Sequence, residues 1–272
     1  MEHHGTTHWE TLKYSNDSLE AIQEEIVTEY PLTLRLDGEE FATMVCTPSD
    51  LEDLVVGFLA SEGIIRTMEE IDSLSIDPDK GFAYVELKNK MTSSKERVSK
   101  RFIGSCCGKS RQFYFQNDVR TAKTIRSRTR VTARQCIELM NQLQQGSHEF
   151  QKTGGLHNAA LCEGSQLLVS RSDIGRHNAL DKIYGHCIRS RVPTANKMIA
   201  FSGRISSEVL LKASKIGAGI LLSKSAPSDL ALKLADELGI TAVGFIRDSK
   251  MNIYTHPERI AEYDAFSQPS VE

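Results

Sequence analysis

With 272 residues, 40% hydrophobic and 25% charged, the chain can bury one large core or two modest ones and has an ordinary water-soluble make-up. No apolar run approaches the ~18 residues of a membrane span, and Met1-Glu2-His3-His4-Gly5 lacks the basic-then-apolar pattern of a secretory signal, so a cytoplasmic protein is expected. The net charge is −3, yet from Lys95 to Arg134 twelve Lys or Arg face only Glu96 and Asp118, a local +10 that leaves −13 elsewhere.

Residues 1–25 read as a flexible tail, with order beginning near Ile26. Leu32, Leu34 and Leu36 alternate with Thr33 and Arg35 as in a half-buried strand. Asp37-Gly38 signals a tight hairpin, with Phe41 to Val45 as the returning strand. Thr47-Pro48-Ser49-Asp50 opens a helix from Leu51 to Ser61 that Gly63 ends. Ile71 to Ile76 and Phe82 to Leu87 read as strands around Asp77-Pro78-Asp79-Lys80-Gly81. Residues 26–94 are thus expected to form a small α+β domain, and 95–131 a basic, cysteine-bearing loop and linker.

Thr132 starts a helix that Gly146-Ser147 closes. From there strand, short loop and helix repeat. Leu167–Ser170 leads through Asp173-Ile174-Gly175-Arg176-His177-Asn178 into a helix to Ile188. Met198–Phe201 leads through Ser202-Gly203-Arg204 into Ser206–Ile216. Gly219–Ser223 leads through Lys224-Ser225-Ala226-Pro227 into a helix ending at Gly239, with Pro227 placed as its first residue. Ile240–Phe245 ends at Arg247-Asp248. This alternation predicts an α/β domain over 132–265, with a mostly parallel sheet flanked by helices, and a tail over 266–272.

The adjacent thiols of Gly104-Ser105-Cys106-Cys107-Gly108-Lys109-Ser110 sit in the basic block. Neighbouring Cα atoms ~3.8 Å apart are too close for an unstrained disulfide. Zinc ligand pairs are spaced more widely, and Gly-x-x-x-Gly-Lys-Ser is one residue short of a phosphate loop. Lys100, Arg101, Lys109 and Arg111 favour thiolate, so reactive sulfur is preferred over a pair of inert buried cysteines. Cys46, Cys136, Cys162 and Cys187 stand singly among apolar neighbours, as reduced core residues do.

The polar, glycine-containing clusters of the second half fall after strands, the edge where open α/β sheets bind ligands. Arg176, Arg204 and Arg247 at equivalent places there suggest a phosphorylated ligand. His177, among Asp173, Arg176 and Asn178, is a ligand contact or proton carrier. His157 follows a glycine turn and reads equally as a structural or a functional residue; Ala159 stands where a zinc deaminase needs Glu and no Pro-Cys-x-x-Cys follows, so zinc hydrolysis is not supported and no structural metal is expected.

Taken together, Thr47-Pro48, Gly57-Phe58-Leu59, Glu62-Gly63, Thr153-Gly154-Gly155-x-His157, Asp173-x-Gly175-Arg176-His177-Asn178-Ala179-x-Asp181-Lys182, Ser202-Gly203-Arg204 and Ser225-Ala226-Pro227 resemble the FdhD family of formate dehydrogenase accessory sulfurtransferases. The resemblance runs from Glu29 to Ile260. It implies a larger domain with a cytidine-deaminase-like fold and a carrier that takes sulfur from a cysteine desulfurase as a cysteine persulfide. The sulfur would pass to the Mo-bis(molybdopterin guanine dinucleotide) cofactor of formate dehydrogenase. The resemblance further implies that Phe245-Ile246-Arg247-Asp248-Ser249-Lys250 binds this cofactor, with Gly175, Arg176, His177, Asn178, Ser202, Gly203, Arg204 and Ser225 expected around it. Many members carry Cys-x-x-Cys where this chain has Cys106-Cys107, and either thiol can take the persulfide-bearing place. A non-enzymatic cofactor-binding chaperone is the alternative. A homodimer is possible, and neither nucleic acid nor membrane is expected as a partner.

Overall fold

A computed structural model describes residues 5–89, 101–103, 122–146 and 153–267 of the chain. The first residues, expected to be a flexible tail, instead include a hairpin of β1 (Thr6–Ser15) and β2 (Ser18–Val27). It turns at Asn16 and Asp17, both at positive φ (48° and 58°), as a tight two-residue hairpin requires. No residue of either strand is buried. A ribbon with no core-facing side lacks the alternation by which strands are recognised.

The leucine alternation builds β3 (Tyr30–Leu36), which turns at Asp37-Gly38 into antiparallel β4 (Glu39–Cys46). Helix α1 (Leu51–Ser61) follows, and Gly63 beyond its end takes φ 73°. Then come β5 (Ile71–Asp77), β6 (Phe82–Leu87) and β7 (Arg101–Ile103). The five strands lie in the order β5-β6-β3-β4-β7. Residues 101–103, assigned from sequence to loop and linker, therefore add an edge strand. Leu32, Leu34, Met44 and Val85 pack with Leu54, Val55 and Leu59 of α1 in one buried cluster.

The second layer begins with α2 (Ala133–Gln145), capped reciprocally by Thr132 and Gln135. It continues with β8 (His157–Glu163), β9 (Gln166–Asp173), α3 (Arg176–Arg189), β10 (Met198–Phe201), α4 (Ser207–Ile216), β11 (Ile220–Ser223), α5 (Asp229–Leu238), β12 (Thr241–Arg247), β13 (Lys250–Ile253) and α6 (Tyr263–Ser267). The strand order is β13-β12-β11-β10-β8-β9. Only β10–β11 and β11–β12 are parallel; β8–β10, β8–β9 and β12–β13 are antiparallel. The sheet is therefore mixed, not mostly parallel. The extra strands escaped notice because β8 is buried on both faces and does not alternate, while β13 is four residues after a turn. Pro227 precedes Ser228, whose Oγ accepts from Ala231 N at 3.4 Å, so the proline lies outside α5 and not at its first position.

The central strands alternate between two cores. Ile199 and Phe201 face Leu180, Ile183, Val209 and Leu210, while Met198 and Ala200 join Leu139, Met140 and Leu143 of α2. The sheet is thus covered by helices on both sides. No helix among the described residues is long and apolar enough to cross a membrane.

Helices α1 and α3 bind the two layers together at a pair of glycines. A Cβ on Gly57 would overlap the carbonyl oxygen of Asp181 and lie 2.8 Å from Gly185 N; one on Gly185 would overlap that of Asp53. Around this crossing, Asp53 accepts from Arg171 at 2.8 Å and from Arg189 at 2.6 Å. Ser61 Oγ donates to Asp181 Oδ1 at 2.6 Å, Lys212 pairs with the same carboxylate, and Lys215 Nζ donates to Ser61 O at 2.6 Å.

Candidate functional site

Because β10, β11 and β12 run parallel, their last residues share one edge of the six-stranded sheet. Because β8 and β9 run against each other, with β8 antiparallel to β10, the start of β8 and the end of β9 fall on that same edge. The loops carrying Gly175–Asn178, Ser202–Arg204, Ser225 and Phe245–Lys250 are therefore neighbours, although they span more than seventy residues of chain.

Hydrogen bonds stitch these loops into a frame. Ser202 N donates to Asn158 O and Asn158 N to Ser202 Oγ, both at 2.9 Å. Ser172 Oγ donates to Asn158 Oδ1 at 2.6 Å. Ser223 Oγ donates to Gly203 O at 2.7 Å, and Ser225 Oγ to Ser202 O at 3.2 Å. Phe245 N reaches Ser225 O at 3.3 Å. Backbone groups at a loop edge would otherwise need water, and short serine side chains satisfy them here.

The frame leaves Arg204, Arg247, Asp248, Ser249 and Lys250 exposed, with Arg176, His177, Ser202 and Ser225 half-buried. Ile246, Gly175 and Gly203 are buried. A Cβ at Gly203 would come within 2.9 Å of the Phe201 ring and 3.4 Å of His157 Nδ1, so only glycine fits between them. Phe245 is 39% exposed and sits at φ 53° where the β12–β13 register shifts. That left-handed conformation is unfavourable for a residue with a side chain, and rare for a bulky one.

His157 lies beside Arg176 and His177. Burial, aided by those two neighbours, lowers its pKa below the usual imidazole value, while Asp173 opposes the shift. His177 Nε2 stands 2.9 Å from Glu208 Oε2, without the alignment of a hydrogen bond.

Asn178, expected at the ligand, is instead buried, and its side-chain amide donates to Val45 O and Asp173 Oδ1, both at 2.9 Å. Asp173 anchors this loop. Its carboxylate accepts from Gly175 N at 2.7 Å and Thr47 N at 3.1 Å and pairs with Lys182 Nζ at 2.7 Å, both side chains fully buried. Lys182 Nζ also donates to Ser172 O at 3.0 Å. Asp173, Lys182, Asn158 and Glu208 were not among the site residues expected from sequence. Their roles depend on contacts such as Thr47–Asp173, 126 positions apart, which no local pattern announces.

Cys106 and Cys107 lie outside the described residues. The other four thiols are buried and unpaired, and burial pushes Cys46, Cys136 and Cys162 up to about 12 and Cys187 to about 11.

Proteins named sulfur carrier protein FdhD are similar along nearly the whole chain. The one from Bacillus subtilis is 55% identical over 250 residues, covering 92% of this chain and 95% of its own. That of Geobacillus kaustophilus is 59% identical over 248 residues (91% and 94%), and that of Halalkalibacterium halodurans 60% over 240 (88% and 89%). A crystal structure from Desulfotalea psychrophila, provisionally described as a formate dehydrogenase accessory protein, superposes with a TM-score of 0.78 over 94% of this chain and 99% of that one. At 24% identity, that likeness speaks for the fold alone. The model of the FdhD/NarQ family matches residues 27–261, and the chain belongs to that family.

Proposed function

We propose that the protein is a sulfur carrier. It accepts sulfur from a cysteine desulfurase as a persulfide on the Cys106-Cys107 pair and delivers it to Mo-bis(molybdopterin guanine dinucleotide), the acceptor needed by formate dehydrogenase. The observation that carries this reading is the state of the other cysteines. Buried, and with their pKa values pushed up to about 11–12, Cys46, Cys136, Cys162 and Cys187 are protonated at neutral pH and cannot attack sulfur. Of the six cysteines only Cys106 and Cys107 are left, set in sequence among Lys100, Arg101, Lys109 and Arg111. The relatives' name, sulfur carrier protein, supports the same reading.

In the loading step a thiolate of the pair attacks the outer sulfur of the desulfurase persulfide. A new S–S bond forms, the old one breaks, and its electron pair leaves on the desulfurase thiolate. The sheet edge is assigned to the acceptor. Arg204, Arg247 and Lys250 are free to meet phosphates, His157 and Arg176 add a polar wall, and the Phe245 ring offers a face to a flat heterocycle. Asn178 serves this site by holding the Gly175–His177 loop to Val45.

The test is activation of the client enzyme in cells lacking their own carrier. The wild-type chain should restore formate dehydrogenase activity and Cys106→Ala/Cys107→Ala should not, while the purified variant keeps the wild-type circular dichroism. Activation by the double variant at the wild-type level would contradict the reading.

A further inference from the structure

Residues 122–130 have no place in the site just described, and they follow directly on the stretch from Gly104 to Thr121 that holds Cys106 and Cys107. They run without turn or bend along the α/β domain. Lys123 N donates to Ser214 Oγ of α4, and that hydroxyl donates to Lys123 O, both at 2.8 Å. Ile125 N donates to Leu238 O at the end of α5 at 2.8 Å, and Arg259 Nε to Ser127 O at 3.1 Å. Two glycines allow this close approach: a Cβ on Gly219 would lie 2.6 Å from Ser127 Cβ, and one on Gly239 2.6 Å from Ile125 O. The segment is thus fixed to the domain through its odd-numbered residues.

Its even-numbered residues face away. In an extended chain the backbone groups of alternate residues point to opposite edges, and side chains alternate likewise. The N–H and C=O groups of Thr124, Arg126 and Arg128 make no hydrogen bond among the described residues, so they form an open edge that a second extended chain can pair with. Arg126, Arg128 and Arg130 are exposed at the same two-residue spacing, ~6.6–6.8 Å apart. Asp264 pairs with Arg130 at 2.6 Å, whereas Arg126 and Arg128 have no acidic partner among the described residues. An extended peptide with a carboxylate at every second residue matches both the open edge and the arginine ladder. Nucleic acid is the poorer match, because it cannot complete a main-chain ladder and the whole chain carries −3.

We propose that residues 122–130 are the docking edge for the sulfur donor, which adds an extended acidic segment to it as a strand. Main-chain hydrogen bonds to Thr124, Arg126 and Arg128 supply affinity, while carboxylates on Arg126 and Arg128 fix the register and select for charge. The donor is the occupant because a protein held here is tethered beside the chain that leads to both thiols. That choice of occupant rests on the sulfur-carrier reading; the acidic-strand edge itself does not.

On the full chain, fluorescence anisotropy with a labelled peptide of alternating Glu and Val tests the edge, and persulfide loading by a cysteine desulfurase tests the occupant. The peptide should bind and its Lys–Val counterpart should not. N-methylation at alternate backbone nitrogens of the peptide should weaken binding about tenfold or more. Arg126→Glu/Arg128→Glu should weaken it about as much with unchanged circular dichroism, since both side chains are exposed. The same variant should raise the KM for the desulfurase about tenfold, while inorganic polysulfide, too small to need a docking edge, loads the thiols at the wild-type rate. Absent peptide binding, equal binding of the N-methylated peptide, or equal binding of a single-stranded oligonucleotide overturns the edge. An unchanged KM, or polysulfide loading lost along with it, overturns the choice of the donor. A wild type that binds the peptide but takes no sulfur from the desulfurase refutes the sulfur-carrier reading instead, and the donor with it.

Discussion

Phe245 offers a sharp test of how the sheet edge is built, because two effects at this residue nearly cancel. Its φ of 53° costs a side-chain-bearing residue ~1–2 kcal/mol, which glycine would recover. The ring is 39% exposed, so about three-fifths of it is covered, worth roughly 1–2 kcal/mol of the ~2–3 for a fully buried phenylalanine. Glycine also loses ~0.5–1 kcal/mol through the greater freedom of the unfolded chain. Phe245→Gly should therefore change stability by no more than about 1 kcal/mol, against 3–5 for a phenylalanine truncated in a core. Phe245→Val keeps the strain, worsens it by branching, and loses the ring, so it should fall ~2 kcal/mol below the glycine variant. Urea denaturation gives the stabilities, and calorimetry with a guanine nucleotide gives the affinity, expected to drop by about fivefold or more in Phe245→Gly. A loss of 3 kcal/mol or more in the glycine variant would show that the ring holds the core. Unchanged affinity would remove it from the ligand site.

Other expectations follow from the same geometry. Gly57→Ala and Gly185→Ala should each cost about 3 kcal/mol or prevent folding, because the new Cβ meets backbone of the facing helix; Gly154→Ala, in open space at φ 65°, should cost only ~1 kcal/mol by urea denaturation. Asp173→Asn strands the Lys182 ammonium, buried at 0% exposure, and should cost ~3–5 kcal/mol, with Asp173→Asn/Lys182→Met recovering part of it in a double-mutant cycle. His157 titrates lower in the folded chain than in the unfolded one, for which about 6.5 applies, so acidification through that value protonates the unfolded state first and lowers stability. Stability measured between about pH 7.5 and 5 should show this fall, and His157→Gln should flatten it.

Where one face is buried and the other wet, the elements can be read from residue order. The alternation of Leu32, Leu34 and Leu36 marks β3, and Thr132 with Gln135 marks the start of α2. Strand β8 is buried on both faces and β1–β2 on neither, so neither shows the period of two. Missing β8 is what made the sheet look mostly parallel. That the polar loops share one sheet edge was legible because each directly follows a strand. What holds those loops was not, since Thr47, Val45, Asp173 and Lys182 meet only through the packing of two distant layers. For the same reason Asn178 looked like a ligand contact, although its amide is engaged inside the fold.

Sulfur is proposed to travel on Cys106 or Cys107. Intact-mass analysis after incubation with a cysteine desulfurase and cysteine, followed by peptide mapping, addresses it directly. The added mass of one sulfur atom, reversible by thiol reductant, is expected on the peptide that holds Cys106-Cys107, and none in Cys106→Ala/Cys107→Ala. Sulfur on Cys46, Cys136, Cys162 or Cys187, or loading of the double variant at the wild-type level, would contradict it.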